Sequence, residues 1–410
     1  MSLNKSLVLK RSMFRYILIS MIWCQSILLQ YFRALLMRLP IIGAYPDTLI
    51  VLLYAAVILL ALPEMKTKLV DLLGIFGVFI VYILSPIIFP ETMLYWEENS
   101  YRFLTSVLPL YVVGLSIGQH PKDHGKVIHY LYTLSMITVI VRILFYYTSG
   151  TAMTEIQSKY QGDMDGAYNL LPHLCLIMYH VIKKKGVINI AVLAVGSLFL
   201  LFLGTRGAVL MEVICFVLMV LLLTKWKHKV LTTILIAAAA IAYLYSPLFD
   251  MTMQWLSSMA SDLGLSIRIF DLFRSGTLGF KADRDVIADT LYAALARNPL
   301  GYGLYGDWVL AGTYAHKIYL EMWIHFGVIL GTVLIGVFLL TPVRAFIIEK
   351  NADMRGFLIA LYCSGVLKLF LSSSYLREEL LFLLFGLSIA LLRKKKPRMT
   401  AASGHGISRS

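Results

Sequence analysis

The run GVINIAVLAVGSLFLLFLGTRGAVLMEVICFVLMVLLLT, residues 186–224, decides what kind of protein this is. Residues 186–202 carry no charge, and a second apolar run follows the turn GTRGA at 204–208. Each arm suits the hydrocarbon core of a bilayer, which takes about 17–25 mostly apolar residues to cross. The awkward residue is Arg206. A basic side chain at the centre of a single membrane helix costs about 2.5–3.5 kcal/mol, whereas at the rim of a hairpin it reaches water and costs little. Gly204 and Gly207 permit so close a turn. The stretch therefore reads as two membrane helices joined by a tight, arginine-bearing turn.

The rest of the chain agrees. Of 410 residues, 59% are hydrophobic and 15% charged, against about 25% charged in an average soluble domain. The apolar runs are continuous and not short and alternating, which excludes a membrane β-barrel. Candidate spans are 13–31, 42–62, 69–89, 103–119, 127–147, 166–182, 187–203, 208–224, 230–249, 320–343, 356–374 and 376–392. The expected fold is all-α: a polytopic helical membrane protein of about 12 transmembrane helices with one large outer helical loop at 250–319. Residues 1–186 form the N-terminal helices, 187–345 the motif-bearing core, and 346–410 the C-terminal helices and a basic tail. The basic-then-apolar N-terminus has no evident cleavage site and reads as a retained first span. Cys24, Cys175, Cys215 and Cys363 all fall in apolar runs without metal-ligand spacing, so they read as small buried hydrophobes.

Charge placement orients the chain. With the N-terminus cytoplasmic, the inner segments collect Lys10, Arg11, Arg15, Lys66, Lys68, Lys183–Lys185, Lys225, Lys227, Arg344 and the RKKKPR tail at 393–398. This is the positive-inside pattern, with both termini cytoplasmic. It accounts for the net charge of +14 without a nucleic-acid partner. Two outer segments run against the pattern: the GTRGA turn, and the long loop with Arg268, Arg274, Lys281, Arg284, Arg297 and Lys317.

Within that loop, DRDVIADTLYAALARNP (283–299) predicts a helix with Ile287, Leu291, Ala294 and Leu295 on one face, ended by Asn298-Pro299. LGYGLYG at 300–306 predicts a tight turn with close backbone approach. TYAHKIYLEMWIHFGVILG (313–331) then places His316 at the mouth of a span, with Glu321 on the same helix start. Tyr314, Tyr319 and Trp323 suit the interfacial aromatic belt.

A TRG turn between spans, an arginine-led loop helix ending in NP and G-x-G, and an Ala-His before an aromatic span occur here in that order. In this order the chain resembles the O-antigen polymerase and O-antigen ligase superfamily of integral-membrane glycosyltransferases. The resemblance covers about residues 187–345. It implies a metal-independent transferase without cofactors, in the bacterial cytoplasmic membrane. The implied donor is an undecaprenyl-diphosphate-linked glycan, and chain-length regulators and flippases are the implied protein partners. By position, Arg206 and Arg284 match the family's paired arginines and His316 its histidine; Lys317 departs from a frequent asparagine. Tyr314, Lys317, Glu321 and Arg377 complete the expected substrate-binding set.

The chemistry suits these residue types. Guanidinium groups match phosphate oxygens bidentately and stay charged, so two arginines can hold a leaving diphosphate. A histidine near neutrality can take the acceptor hydroxyl's proton. Blander readings exist for each: Arg206 as a snorkelling residue, Arg284 as a solvated helix charge, His316 as an interfacial cap. Asp283-Arg284-Asp285 has the DxD spacing of metal-dependent transferases, but their nucleotide-sugar donors are cytoplasmic. Intramembrane Arg142, Glu212 and Lys368 read as functional groups or as a structural ion pair. The expected activity is polymerisation of lipid-linked repeat units into O-antigen, capsule or exopolysaccharide. Transfer of polymer to a lipid A-core acceptor is the alternative, and flipping of the same lipid a further one.

Overall fold

The computed structural model describes residues 69–103, 107–120, 123–148, 162–203, 205–224, 246–262 and 283–394, with isolated positions among 16–24, 49–52 and 231–238. The described residues are helical, with no strands. In chain order the longer helices are α1 (Leu69–Ile88), α2 (Met93–Arg102), α3 (Leu108–Gln119), α4 (His124–Thr148), α5 (Gly162–Lys184), α6 (Val187–Phe202) and α7 (Arg206–Leu223). They continue with α8 (Pro247–Asp262), α9 (Asp283–Arg297), α10 (Gly306–Ala311), α11 (Ile318–Phe326), α12 (Val328–Ile348), α13 (Ala352–Leu361) and α14 (Glu379–Lys394). Predicted spans 13–31, 42–62 and 230–249 lie mostly outside the described residues, as do Arg268, Arg274 and Lys281.

Among the described residues two helices are long and apolar enough to cross a membrane, His124–Leu144 and Val328–Ile348. A bent pair, Phe76–Ile88 with Pro90–Ser100, turns by 104° and adds a third if it is one broken span. The bend falls where Pro90 opens a short 3₁₀ turn, because proline has no N–H to continue the ladder. After the bend α2 is held to α1 by the Trp96 indole, which donates to Tyr82 O at 3.0 Å.

At the heart of the bundle lies α5, packed against α4, α6, α7 and α13. From Leu170 to Leu176 every residue is buried, as expected of a helix that is apolar all round. His173 within it meets the Ser135 hydroxyl at 3.2 Å, which also receives the Trp23 indole N–H at 2.8 Å. The four cysteines are free and buried. Three come together: the Cys215 thiol lies within hydrogen-bonding reach of Cys175 and Cys363.

The closest helix pairing is α3 with α14. A Cβ at Gly114 would stand 2.1 Å from Leu383 O, and one at Gly386 would stand 2.1 Å from Tyr111 O. Gly118 faces Ala390 in the same way, at 2.5 Å. Both helices therefore present a small-xxx-small stripe, GLSIG at 114–118 and GLSIA at 386–390, which lets backbones touch where lipid supplies no hydrophobic drive.

Two predicted spans are broken. The expected helix 320–343 starts at Ile318 and is interrupted at Gly327, whose φ of 78° is open to glycine. Gly301, at φ 93°, docks there: Tyr302 N–H donates to Ile324 O at 2.6 Å and Val328 N–H to Pro299 O at 3.0 Å. A Cβ on either glycine would meet the other segment's backbone, at 2.6 Å from Gly301 and 2.7 Å from Gly327. The close approach expected of LGYG is thus made against the interrupted span. The expected helix 356–374 stops at Leu361, passes through a π-helical turn (Tyr362–Val366) and a 3₁₀ turn (Leu367–Phe370), and then unwinds.

Outside the bundle, α9 buries Ala288, Leu291, Ala294 and Leu295 against Ala315, Leu320 and Ile324, with Ile287 at the margin. This is the face expected from the pattern, and it seats the loop helix on α11.

Candidate functional site

The short helix α10 is flanked by residues with left-handed backbone, Tyr305 at φ 65° and Gly312 at φ 71°, and His316 follows at φ 58°. Non-glycine residues seldom adopt this conformation, so surrounding contacts must impose it. Asp307 is the main contact. Buried at the start of α10, it accepts Trp308 N–H at 3.0 Å and Ala315 N–H at 2.9 Å, fixing the residue before His316.

Asp307 also faces His325, with Nε2 at 3.0 Å from Oδ1. The same Nε2 receives the Tyr305 backbone N–H at 3.2 Å, while Nδ1 meets the Tyr375 hydroxyl at 2.7 Å. One turn up α11, Glu321 accepts from the Ser374 hydroxyl and from Tyr375 N–H, the latter at 3.2 Å. Asp307, Glu321 and His325 each offer a ligand atom within 4.8 Å of the others, the spacing of a metal centre. Every one of those atoms is already matched to a donor or acceptor of the protein. The cluster is thus a closed buried network that locks three elements together: α10, α11 and the unwound segment 371–378.

Around this lock the chemically open groups converge. Arg284, in the first turn of α9, donates to Leu371 O at 3.2 Å. Its charge acts on both Tyr168 of α5 and His316. Tyr168 hydrogen-bonds Ser372, and a Cβ on Gly207 would meet its hydroxyl at 2.2 Å. The arginine turn is thereby brought to the same place. Lys368 pairs with Glu378 at 2.5 Å and sits 5.4 Å from the Tyr168 ring.

His316 packs its ring on Tyr314, centroids 4.1 Å apart, and its buried Nδ1 has no hydrogen-bond partner among the described residues. Burial, and next the neighbouring Arg284 guanidinium, push its pKa down to about 4 against a smaller opposing pull from Asp307. The ring is therefore neutral at physiological pH.

Of the residues expected from sequence, Arg284, His316 and Tyr314 meet in one place. Arg206 begins α7 beside Gly207, but its side chain lies outside the described residues. Lys317 caps the start of α11 in extended conformation and acts on Tyr292 of α9. Glu321 faces inward with both oxygens occupied. Arg377 donates to Asn99 and lies 5.0 Å from the Trp308 ring. Among the charges expected within the membrane, Lys368 takes Glu378, and Glu212 accepts from the Ser197 hydroxyl at 2.5 Å. Asp307 and Tyr168 were not expected. An aspartate in GLYGDW carries no motif, and Tyr168 arrives from a helix more than a hundred residues earlier.

Beneath the network lies an apolar cavity of about 490 Å³ between α1, α12 and α14, with Tyr82, Leu304, Phe326, Tyr375 and Leu376 in its wall. Its lining is shared with the network at Tyr375, so polar and apolar compartments adjoin. No protein-family model, curated protein or solved structure matches this chain.

Proposed function

We propose that this chain is a membrane glycosyltransferase of about twelve spans that joins polyprenyl-diphosphate-linked repeat units at the outer face of a bacterial cytoplasmic membrane. The observation that carries this reading is the meeting of Arg284 with a neutral His316, whose Nδ1 has no partner among the described residues, beside the turn that bears Arg206. An arginine and a proton acceptor in one half-buried place is what transfer from a diphosphate leaving group requires. The arginine stabilises negative charge as the anomeric C–O bond breaks. The histidine takes the proton of the acceptor hydroxyl, which attacks the anomeric carbon from the opposite face and inverts it. The apolar cavity below supports a lipid-borne donor, since its wall matches a hydrocarbon chain.

His316 also has a built-in means of activation. Free, it is a weak base because Arg284 and burial hold it neutral. A diphosphate bound to Arg284 cancels that charge, so basicity rises when donor is present.

The test is reconstitution in nanodiscs with a synthetic lipid-linked repeat unit. A ladder of longer glycans supports polymerisation, and Arg284→Ala and His316→Ala are expected to abolish it without loss of folded protein. Product appearing only with a lipid A-core acceptor would make the enzyme a ligase. Full turnover in His316→Ala would refute the base assignment.

A further inference from the structure

Across the outer end of the protein a row of rings leads to His316. Tyr95 of α2 lies 5.7 Å from Trp308 of α10, Trp308 lies 6.3 Å from Tyr314, and Tyr314 lies 4.1 Å from the His316 ring. Each of the four rings is partly exposed. The interplanar angles are 39°, 40° and 49°, so neighbours tilt rather than stack along the row. Arg377 reinforces the middle of it, its guanidinium 5.0 Å from the Trp308 ring and tied by a hydrogen bond to buried Asn99. The helix that begins the row, α2, is the arm bent by 104° from α1, and it carries exposed Glu97 and Glu98.

We infer that this row is the binding platform for an acceptor oligosaccharide, which lies along it with its terminal sugar at His316. The chemistry of the lining selects the ligand. A pyranose has an apolar face of C–H bonds that rests against the negative face of an aromatic ring. Its hydroxyl rim needs polar partners, and the Arg377 guanidinium, anchored on Asn99, stands beside the middle ring. A lipid tail needs no such donors, and a mostly apolar cavity stands apart from the row on the far side of Tyr375. Each step from ring to ring is about the size of one sugar, so Tyr95, Trp308 and Tyr314 mark successive subsites that end at the proton acceptor. A binding site of a few aromatic surfaces with sparse, placed polar groups is the usual form for small ligands. Calling the glycan an acceptor rests on the transferase reading; that the row binds sugar does not.

The experiment uses the full chain in nanodiscs and, as probe, the water-soluble oligosaccharides released by mild acid from the lipid-linked glycans of the source cells. Saturation-transfer NMR with aromatic irradiation is expected to mark pyranose ring protons. Trp308→Ala is expected to weaken binding at least tenfold and Tyr95→Ala several-fold, with Trp308→Phe largely restoring it. Trp255→Ala, on an exposed tryptophan of α8 outside the row, is expected to change nothing. Absence of transfer to sugar protons, or equal affinity in wild type and Trp308→Ala, overturns the inference. The two readings fail separately. Sugar binding lost in Trp308→Ala but no glycan ladder from any lipid-linked donor removes the transferase and leaves the platform. A ladder whose acceptor KM is unmoved by Trp308→Ala removes the platform and leaves the transferase.

Discussion

If Arg284 governs the basicity of His316, removing its charge must shift the titration of that ring. In the protein His316 sits at about 4, below the usual 6.5. Burial is the larger cause and Arg284 the next, so Arg284→Gln leaves the larger one in place. The midpoint is therefore expected to rise above about 4 and to stop short of about 6.5. Long-range ¹H–¹⁵N correlation of ring nitrogens in histidine-labelled protein reads this directly, with His316→Gln assigning the resonance. The readout needs no turnover, so it separates proton affinity from any loss of donor binding. Inorganic diphosphate added to the wild type is expected to move the midpoint the same way. A midpoint unmoved by Arg284→Gln, or already near 6.5 in the wild type, would refute the coupling.

The same shift has a stability consequence. His316 is depressed in the fold, so between about 6.5 and 4 the unfolded chain binds a proton that the folded chain does not. Its contribution is intact above 6.5 and is lost as pH falls through that window. Arg284→Gln narrows the window and should reduce the acid sensitivity of thermal unfolding.

Packing supplies two further predictions. Gly114→Ala puts a methyl 2.1 Å from a backbone oxygen that cannot rotate away, so α3 and α14 must separate. The expected loss is about 1–3 kcal/mol, read as a lower melting temperature, while Gly336→Ala, with nothing within 4 Å, should be neutral or slightly stabilising. Lys368→Met removes the ion-pair partner of buried Glu378 and is expected to cost about 3–5 kcal/mol. The double variant Lys368→Met with Glu378→Leu should recover most of it; equal losses in single and double variants would mean the pair is not what holds Glu378.

Where the chain runs as regular helix, hydropathy located it: α1, α4, α5, α6 and α7 fall within a few residues of predicted spans. The face of α9 and the role of LGYG were equally readable, because amphipathic spacing and glycine report local geometry directly. The small-residue stripes at 114–118 and 386–390 were also legible and are the signal most easily passed over, since glycine in an apolar run lowers no hydropathy score. Breaks were not legible. Gly327 interrupts a span only because Gly301 and Pro299 arrive to take its backbone groups. In the site, Arg284 and His316 stood out through motif order, whereas Asp307 acquires its meaning from Ala315, His325 and the fold between them.

The unwound stretch after α13 shows why those breaks belong to the site. Interruptions of a helix need other groups to satisfy the freed backbone, and π-turns recur at functional positions. Here the departure from helix presents Leu371 O to Arg284, Ser372 to Tyr168, Ser374 to Glu321 and Glu378 to Lys368. A continuous helix would spread those groups around a cylinder, about 100° apart per residue. By unwinding, one short segment meets α5, α9 and α11 at once. The loop arginine, through Leu371 O, and the helix that follows the histidine, through Glu321, are tied to this one unwound segment.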